Sequence, residues 1–304
     1  MKLRNLLIVV FAVASNFTIS AQSNLLNAKY PEDIGQKTAA QLNSDNDRPL
    51  PYGYVNDRDI LLGKTVWELV DLDERVNFPL YYPIDTANIG KDRRSLFDVL
   101  VKGIKEGVIT DVFADDYFNT KRTLKDMSSS FTYIDTIPAG IDEINNFYDD
   151  YKSGAKVLDP QYINKQDLTA QDISGYKIKG FWYFDKRQGE MKYRLLAICP
   201  VAPEARDIGK ENPDVIELFW VFFPAIRDVL HEAKAFNNEN SAMSITFDHL
   251  LNSRRFNGVI YKEENVYGDR EIQMYMKDNA QNQLLESERV KEKLRSFESD
   301  MWNY

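Results

Sequence analysis

The middle of the chain contains two segments that predict β-strands, YKIKGFWYF at residues 176–184 and EMKYRLLAICPV at residues 190–201. Both are rich in aromatic and β-branched residues, and the five residues between them, DKRQG, have the length and the glycine of a hairpin loop. A third segment, VIELFWVFF at residues 215–223, is apolar on both faces, as a covered central strand requires, and Pro224 would end it. These segments predict an antiparallel sheet centred on residues 176–223.

Helices are predicted both before and after these strands in the sequence. Apolar residues at three- and four-residue spacing predict a helix around residues 64–72, anchored by Trp67, and a second helix capped by Asp92 and ended by Gly107. The remaining predicted elements are a strand at 108–113 and two shorter helices within 226–236 and 247–256. Because strands and helices follow in no regular order, the predicted fold class is α+β, an antiparallel sheet with packed helices.

The C-terminal residues predict an amphipathic helix that begins at about residue 279. Four apolar residues recur at spacings of four, three and four, and charged residues cover the other faces. This stripe must pack against either its own domain or a neighbouring subunit. We take the stripe and three tryptophans as candidate interaction residues: Trp67, Trp182, Val290, Leu294, Phe297, Met301 and Trp302.

The N-terminus has the features of a secretory signal peptide. Lys2 and Arg4 precede an apolar run at residues 6–14, and cleavage is predicted after Ala21. The run is too short to span a bilayer. Residues 22–50 have few large apolar side chains and predict a flexible arm.

The predicted domain organisation follows from these boundaries. An α+β core domain is expected over residues 51–278 and the C-terminal helix over residues 279–304. Cys199 is the single cysteine and lies in an apolar segment, which predicts a buried, inert thiol and no intrachain disulfide. We expect the exported protein to reside in a bacterial periplasm.

Composition limits the classes of partner. The 304 residues include 38 basic and 47 acidic side chains, a net charge of -9, which disfavours nucleic acid and anionic lipid surfaces as partners. The hydrophobic fraction of 43% supplies a core, and no segment after the signal peptide is long and apolar enough to span a bilayer.

Motifs for catalysis or metal binding are weak. His231-Glu232 lacks the second histidine of a zinc protease motif, and Asp111, Asp115 and Asp116 lack the spacing and glycine of a calcium loop. Ser153 and Lys156 match the S-x-x-K pattern of some hydrolases, without its partner motifs. We therefore expect no enzyme, cofactor or metal site. A ligand-binding module and a Ser–Lys hydrolase remain the alternatives.

Several aromatic segments resemble one protein family. WELVDLDERVNFPLYYP at residues 67–83 resembles the tryptophan-led signature of the gliding-motility protein N family, GldN, called PorN in non-gliding relatives. Similar blocks follow in the same order, and the resemblance runs from about Pro49 to the end of the chain. These blocks are SLFD at 95–98, KGFWYFDK at 179–186, LFWVFFP at 218–224, RRF at 254–256 and the helix at 288–302.

The resemblance implies a component of the type IX protein secretion system of Bacteroidota, needed for secretion and gliding motility. Members of the family, among them the similar paralogue GldO, are periplasmic and carry no catalytic residues. The family forms a ring with an outer-membrane lipoprotein, GldK or PorK, which holds it at the outer membrane. It meets the periplasmic part of the GldL–GldM motor, which makes GldM or PorM a second expected partner. The expected interfaces are the arm before Pro49, the exposed edge of the 176–201 hairpin and the terminal helix.

Overall fold

A computed structural model describes residues 47–85, 93–154, 156–210, 213–237, 245–277 and 279–302. The strands are β1 (Ile60–Asp71), β2 (Val112–Phe113), β3 (Thr132–Thr136), β4 (Ile163–Asp167), β5 (Gly175–Asp185), β6 (Glu190–Pro203), β7 (Val215–Glu217), β8 (Trp220–Phe222), β9 (Lys234–Ala235), β10 (Ile245–Thr246) and β11 (Val259–Glu263). The helices are α1 (Phe78–Tyr81), α2 (Leu96–Lys105), α3 (Leu124–Phe131), α4 (Pro138–Asn146), α5 (Tyr148–Lys152), α6 (Phe223–Glu232), α7 (Phe247–Asn252), α8 (Ile272–Tyr275) and α9 (Ala280–Trp302). Single 3₁₀ turns occur at Asp57–Asp59, Arg75–Asn77, Pro160–Tyr162 and Ala170–Asp172.

Seven strands form the main sheet, in the order β11-β1-β5-β6-β8-β2, with β7 paired to β6. Each neighbouring pair is antiparallel, and the β5–β6 hairpin lies at the centre of the sheet. The pairs β3–β4 and β9–β10 form two small separate sheets. The predicted α+β class and the predicted central hairpin are therefore confirmed.

The prediction of a helix around residues 64–72 is wrong, because this segment belongs to β1. Val66, Trp67 and Glu68 are consecutive and all buried, since both faces of the sheet are covered at this point. A strand buried on both faces loses the polar–apolar alternation that identifies a strand in sequence. Its apolar residues then happen to match helical spacing.

Two other predicted strands differ in extent. The strand predicted over 108–113 forms only β2, and the segment predicted as one strand over 215–223 forms β7 and β8 separated by a break. Pro224 does not follow a strand end directly. It occupies the first turn of α6, where the missing N–H of proline costs no helical hydrogen bond.

The other predicted helices are confirmed, with changed ends. Asp92 lies outside the described residues, and the cap of α2 is Ser95, whose Oγ accepts a hydrogen bond from Asp98 N. Gly107 follows α2 with φ of 74°, the left-handed conformation that commonly closes a helix. α6 starts three residues before the predicted segment and stops before Phe236, α7 covers the first part of 247–256, and α9 begins at Ala280, close to the predicted start.

Helices cover one face of the sheet and form the main core. The strands contribute alternating residues such as Val70, Ile178, Ile198 and Val221, which lie against buried apolar residues of α2, α6 and α7. The opposite face carries a smaller cluster of Trp67, Ala197, Cys199 and Trp220. Cys199 is buried as predicted, and burial raises the pKa of its thiol.

Candidate interaction surface

The first half of the α9 stripe packs on the chain's own sheet. Val290 is buried with Val66 and Ile260, and the partly buried Trp182 packs against them. Ile260 N donates a hydrogen bond to Ser287 Oγ at 2.9 Å, so α9 also satisfies a backbone group of the edge strand β11. Leu294, one helical turn after Val290, is buried as well. This half of the stripe belongs to the intramolecular core.

The second half of the stripe becomes progressively exposed. Phe297 is half-buried, with its ring centroid 5.7 Å from that of Phe184. Met301 is 36% exposed and Trp302 is 71% exposed. A large aromatic side chain at the end of a 23-residue helix is therefore open to solvent. The first half of the stripe therefore packs on its own domain, and the second half is open to solvent. Contact between this second half and a neighbouring subunit stays a prediction.

Trp182 belongs to a partly buried aromatic and ionic cluster under α9. Its ring centroid lies 5.0 Å from that of Tyr193 and 5.0 Å from the guanidinium carbon of Arg254. Arg254 Nη2 donates to both carboxylate oxygens of Glu68, at 3.1 and 2.8 Å. Glu68 is 1% exposed, and Arg254 compensates its buried charge.

The backbone is adapted to this cluster at two positions. Arg254 has φ of 51°, which is unusual for a residue with a side chain. A Cβ atom added at Gly180 would lie 2.2 Å from the ring of Tyr193, so only glycine lets that ring cross β5. The cluster therefore depends on local conformations that the sequence pattern did not reveal.

Trp67 lies between two lysines on the other face of the sheet. Its register partners are Lys262 on β11 and Lys179 on β5, whose Nζ atoms lie 4.2 and 5.0 Å from the indole ring. Asp116, in the loop 114–120, accepts from Lys179 Nζ through its backbone oxygen at 2.8 Å and from Lys262 Nζ through Oδ2 at 2.9 Å. Burial lowers the pKa of Lys179. Trp67 is 1% exposed, so this candidate interaction residue lies inside the chain's own core.

Tyr117, the residue after Asp116, also attaches the loop 114–120 to the rest of the domain. Tyr117 Oη donates to Asp269 Oδ2 at 2.7 Å, and burial together with this contact raises the pKa of Tyr117. Phe118 has φ of 62° and packs its ring on Phe222. The aromatic side chains of this loop thus cover Lys262, Trp67 and Lys179, which lie side by side on three neighbouring strands.

The three aspartates considered for calcium each have a structural partner. Asp111 pairs with Lys121, Asp115 Oδ1 accepts from Asn119 N, and Asp116 binds the two lysines described above. Within the described ranges, no group of three or more histidine, cysteine, aspartate or glutamate side chains is arranged to hold a metal ion. The carboxylates therefore shape the loop.

The residues following the predicted arm are attached to the domain. Tyr52 Oη donates to Asn252 Oδ1 at 2.7 Å, and its ring stacks on the guanidinium groups of Arg227 and Arg194. The predicted signal peptide and residues 22–46 of the arm lie outside the described residues.

The 176–201 hairpin is covered along its β5 side, and on its β6 side strands pair with Ala197, Ile198 and Val201–Pro203. β5 pairs with β1 along its whole length, from Gly175 to Asp185, so this side of the hairpin is covered. On the β6 side, Met191 N donates to Glu298 Oε1 of α9 at 3.1 Å. Contact of a partner with the β6 edge stays a prediction. The hairpin is the centre of the sheet because the residues predicted as a helix supply a further strand.

A family model described as "Gliding motility associated protein GldN" matches residues 55–303. The chain belongs to the GldN family. A search of curated proteins found no match. Membership implies a component of gliding motility or type IX secretion, and the family is not a known enzyme family.

Three of the blocks that resemble the GldN family meet in space. Glu68, Trp182 and Arg254 come from three different blocks and form the cluster beneath α9. A second link joins the first of these blocks to the residue that directly follows the last of them, since Asn77 Nδ2 donates to Asn257 O at 3.0 Å and Asn257 N donates to Asn77 Oδ1 at 2.9 Å. Neither link has a local sequence pattern that could predict it, because the partners are more than 170 residues apart.

Ser153 and Lys156 are not arranged as a catalytic pair in this GldN-family chain. Ser153 Oγ donates to Asp150 O at 3.0 Å. Lys156 Nζ donates to Glu143 Oε1 at 2.6 Å and lies 3.9 Å from the ring centroid of Phe147. The hydrogen bond with Glu143 raises the pKa of Lys156, which keeps it protonated and unable to accept a proton from a serine.

Among the residues that the structure describes, no helix combines the length and the apolar character needed to cross a bilayer.

Proposed function

We propose that the chain is a non-enzymatic scaffold of the type IX secretion machinery, located in the periplasm. In this proposal it forms a ring with further copies of itself and with the outer-membrane lipoprotein GldK or PorK. The lipoprotein holds it peripherally at the outer membrane, and the periplasmic domain of GldM or PorM contacts the assembled ring. Family membership and the predicted signal peptide support this assignment.

The exposed end of α9 is the observation that carries the scaffold role. Buried tryptophans are among the side chains that contribute most to protein interfaces, because they remove a large apolar area from water. Trp302 and Met301 continue a stripe whose first half already packs inside the chain. A partner that covers them would extend the intramolecular core into an intermolecular one. Head-to-tail contacts of this kind close into rings when the rotation between subunits allows closure.

The hydrolase alternative has less support. Its lysine is held by Glu143 and its serine by a backbone carbonyl, so the geometry provides neither a free base nor an aligned nucleophile. A scaffold needs only the exposed contact surface.

The proposal is tested by isolating a tagged chain from gently solubilised membranes of its own host. Mass spectrometry of the eluate and electron microscopy of the particles report composition and shape. Comparable amounts of the lipoprotein and ring-shaped particles are the expected result. A monomer without partner, from an extract in which the lipoprotein is present, contradicts the proposal.

Paired variants locate the interface. Trp302→Ala removes the exposed indole, and Tyr267→Ala removes an equally exposed aromatic ring, 70% accessible, from a loop outside α9. We expect Trp302→Ala to lower recovery of the lipoprotein at least fivefold and Tyr267→Ala to leave it within twofold of the parent. Equal recovery in both variants would remove α9 from the interface.

A further inference from the structure

A cleft of about 430 Å³ lies between α2 and the small β3–β4 sheet. Its volume is within the range of small-molecule sites in proteins, which are mostly apolar with a few polar groups. The apolar side chains that line it are Phe97, Val101, Ile104, Met127, Phe131 and Leu168.

The rim of the cleft is polar and carries a net positive charge. Lys105, at the end of α2, and Lys165, on β4, line it together with Thr132 and Asp167. Two lysines and one aspartate leave one positive charge at this rim, on a chain whose total charge is -9. A positive rim is therefore a local feature of this cleft.

The aspartate is already satisfied by its neighbours. Asp167 accepts from Lys165 Nζ at 2.7 Å and from Thr132 Oγ1 at 2.6 Å. These hydrogen bonds lower the pKa of Asp167, to which the charge of Lys105 also contributes. Within the described part of the chain, no carboxylate lies within 4.0 Å of the Lys105 ammonium. Lys105 is thus the cation left for a ligand.

We propose that this cleft binds one molecule of a medium-chain fatty carboxylate. The alkyl chain would pack on the apolar floor, and the carboxylate would pair with Lys105 at the rim. This ligand matches both properties of the cleft, an apolar interior and a single uncompensated cation. The site lies apart from α9 and does not depend on ring assembly.

Isothermal titration of the full purified chain with octanoate, decanoate, dodecanoate and tetradecanoate, each below its micelle concentration, tests the proposal. Affinity should rise by roughly fourfold per buried methylene and then level off when the chain outgrows the cleft, with one molecule bound per protein. Absence of binding overturns the proposal. A rise without levelling, with several molecules bound per protein, overturns it as well, because it indicates adsorption.

A matched pair of lysine variants tests the rim. Lys105→Gln removes the proposed cation, whereas Lys102→Gln makes the same change on the same helix at a lysine that pairs with Glu106 outside the cleft. We expect Lys105→Gln to weaken dodecanoate binding by roughly threefold to fivefold, as for a partly exposed ion pair, and Lys102→Gln to have no effect. Equal weakening in both variants overturns the proposal.

Two further measurements test whether the fatty carboxylate binds in the cleft and whether the chain binds a lipid surface instead. Val101→Phe fills part of the cleft and should weaken dodecanoate binding at least tenfold in a variant whose circular dichroism spectrum is unchanged. Unchanged binding in that folded variant contradicts the site. Sedimentation with phosphatidylglycerol vesicles reports a lipid surface, and association with vesicles but not with dodecanoate overturns the single-ligand proposal.

Discussion

The buried pair Glu68–Arg254 permits a quantitative prediction. At 2.8 Å and an effective dielectric constant of about 20, the attraction between the two charges is about 6 kcal/mol. Much of this is offset by the cost of removing both groups from water, and breaking buried pairs typically costs about 3–5 kcal/mol. Arg254 also lies over the ring of Tyr193, with its guanidinium carbon 4.1 Å from the ring centroid, so it contributes packing as well as charge.

The two single variants should differ in cost. Glu68→Gln leaves an arginine whose side chain is 24% exposed and can reach water, so we expect a loss of about 2–3 kcal/mol in unfolding free energy. Arg254→Met keeps an unbranched chain over the rings but leaves Glu68 buried and uncompensated, which should cost about 3–5 kcal/mol.

The double variant decides whether the two charges are coupled. If they are, Glu68→Gln with Arg254→Met should cost about 3–5 kcal/mol in total rather than the sum of the single losses, which gives a coupling energy of about 2–3 kcal/mol. Urea unfolding at pH 7, followed by tryptophan fluorescence and circular dichroism, provides the free energies. Additivity within about 0.5 kcal/mol would refute this account of the cluster.

A control on the same sheet makes the comparison specific. Lys177 and Glu217 pair at 2.7 Å with side chains 22% and 37% exposed. Lys177→Met should cost less than about 1 kcal/mol, because a solvated ion pair contributes little. A loss as large as that of Arg254→Met would show that burial is not what makes the Glu68–Arg254 pair important.

Three further predictions concern packing, thiol reactivity and pH. Gly180→Ala should destabilise the fold strongly in urea unfolding, since its Cβ would overlap a tyrosine ring, whereas Gly53→Ala, with no atom within 4 Å of the added Cβ, should stay within about 0.5 kcal/mol of the parent; equal losses would contradict the steric argument. Cys199 should react with a thiol reagent at pH 8 only after unfolding, because burial raises the pKa of its thiol, and rapid reaction of the native chain would disprove its burial. Hydrogen bonds from Arg187 lower the pKa of Asp185 in the folded chain, so the stability it contributes is present above the ordinary aspartate pKa of about 4 and is lost as pH falls toward the folded value. Asp185→Asn should therefore lose less stability than the parent between pH 5 and pH 3, and parallel acid unfolding curves would contradict this.

The parts of the fold that sequence predicted correctly are those determined by local pattern. The β5–β6 hairpin has two apolar segments and a short loop with a glycine at φ of 67°, all within 30 residues. α9 is recognisable because most of its surface is solvated, so its apolar stripe stands out. The residues of β1 match the spacing of a helix because the strand is covered on both faces, and the segments that cover it are distant in sequence.

The interior of the candidate site was not predictable for the same reason. Glu68 and Arg254 are 186 residues apart, and neither residue has a local pattern that identifies the other. The row of Lys262, Trp67 and Lys179 exists only because three strands pair in one register. The aromatic blocks did indicate which segments matter, although the role of Trp67 in the core appears only once its strand is placed.

The exposure of α9 increases toward its C-terminal end, which distinguishes the part of the helix that packs on the domain from the part that we propose contacts a partner. Val290 and Leu294 hold the helix on the sheet, and Ser287 satisfies a backbone group of β11, so the first part of the helix is part of the domain. Trp302 lies two helical turns beyond Leu294 and is largely exposed, so its removal changes little of the intramolecular packing. Loss of the lipoprotein from Trp302→Ala would consequently report a lost contact and not an unfolded subunit. Since the helix is fixed at one end by its own domain, a partner would meet the other end in a preorganised orientation, which lowers the entropic cost of binding.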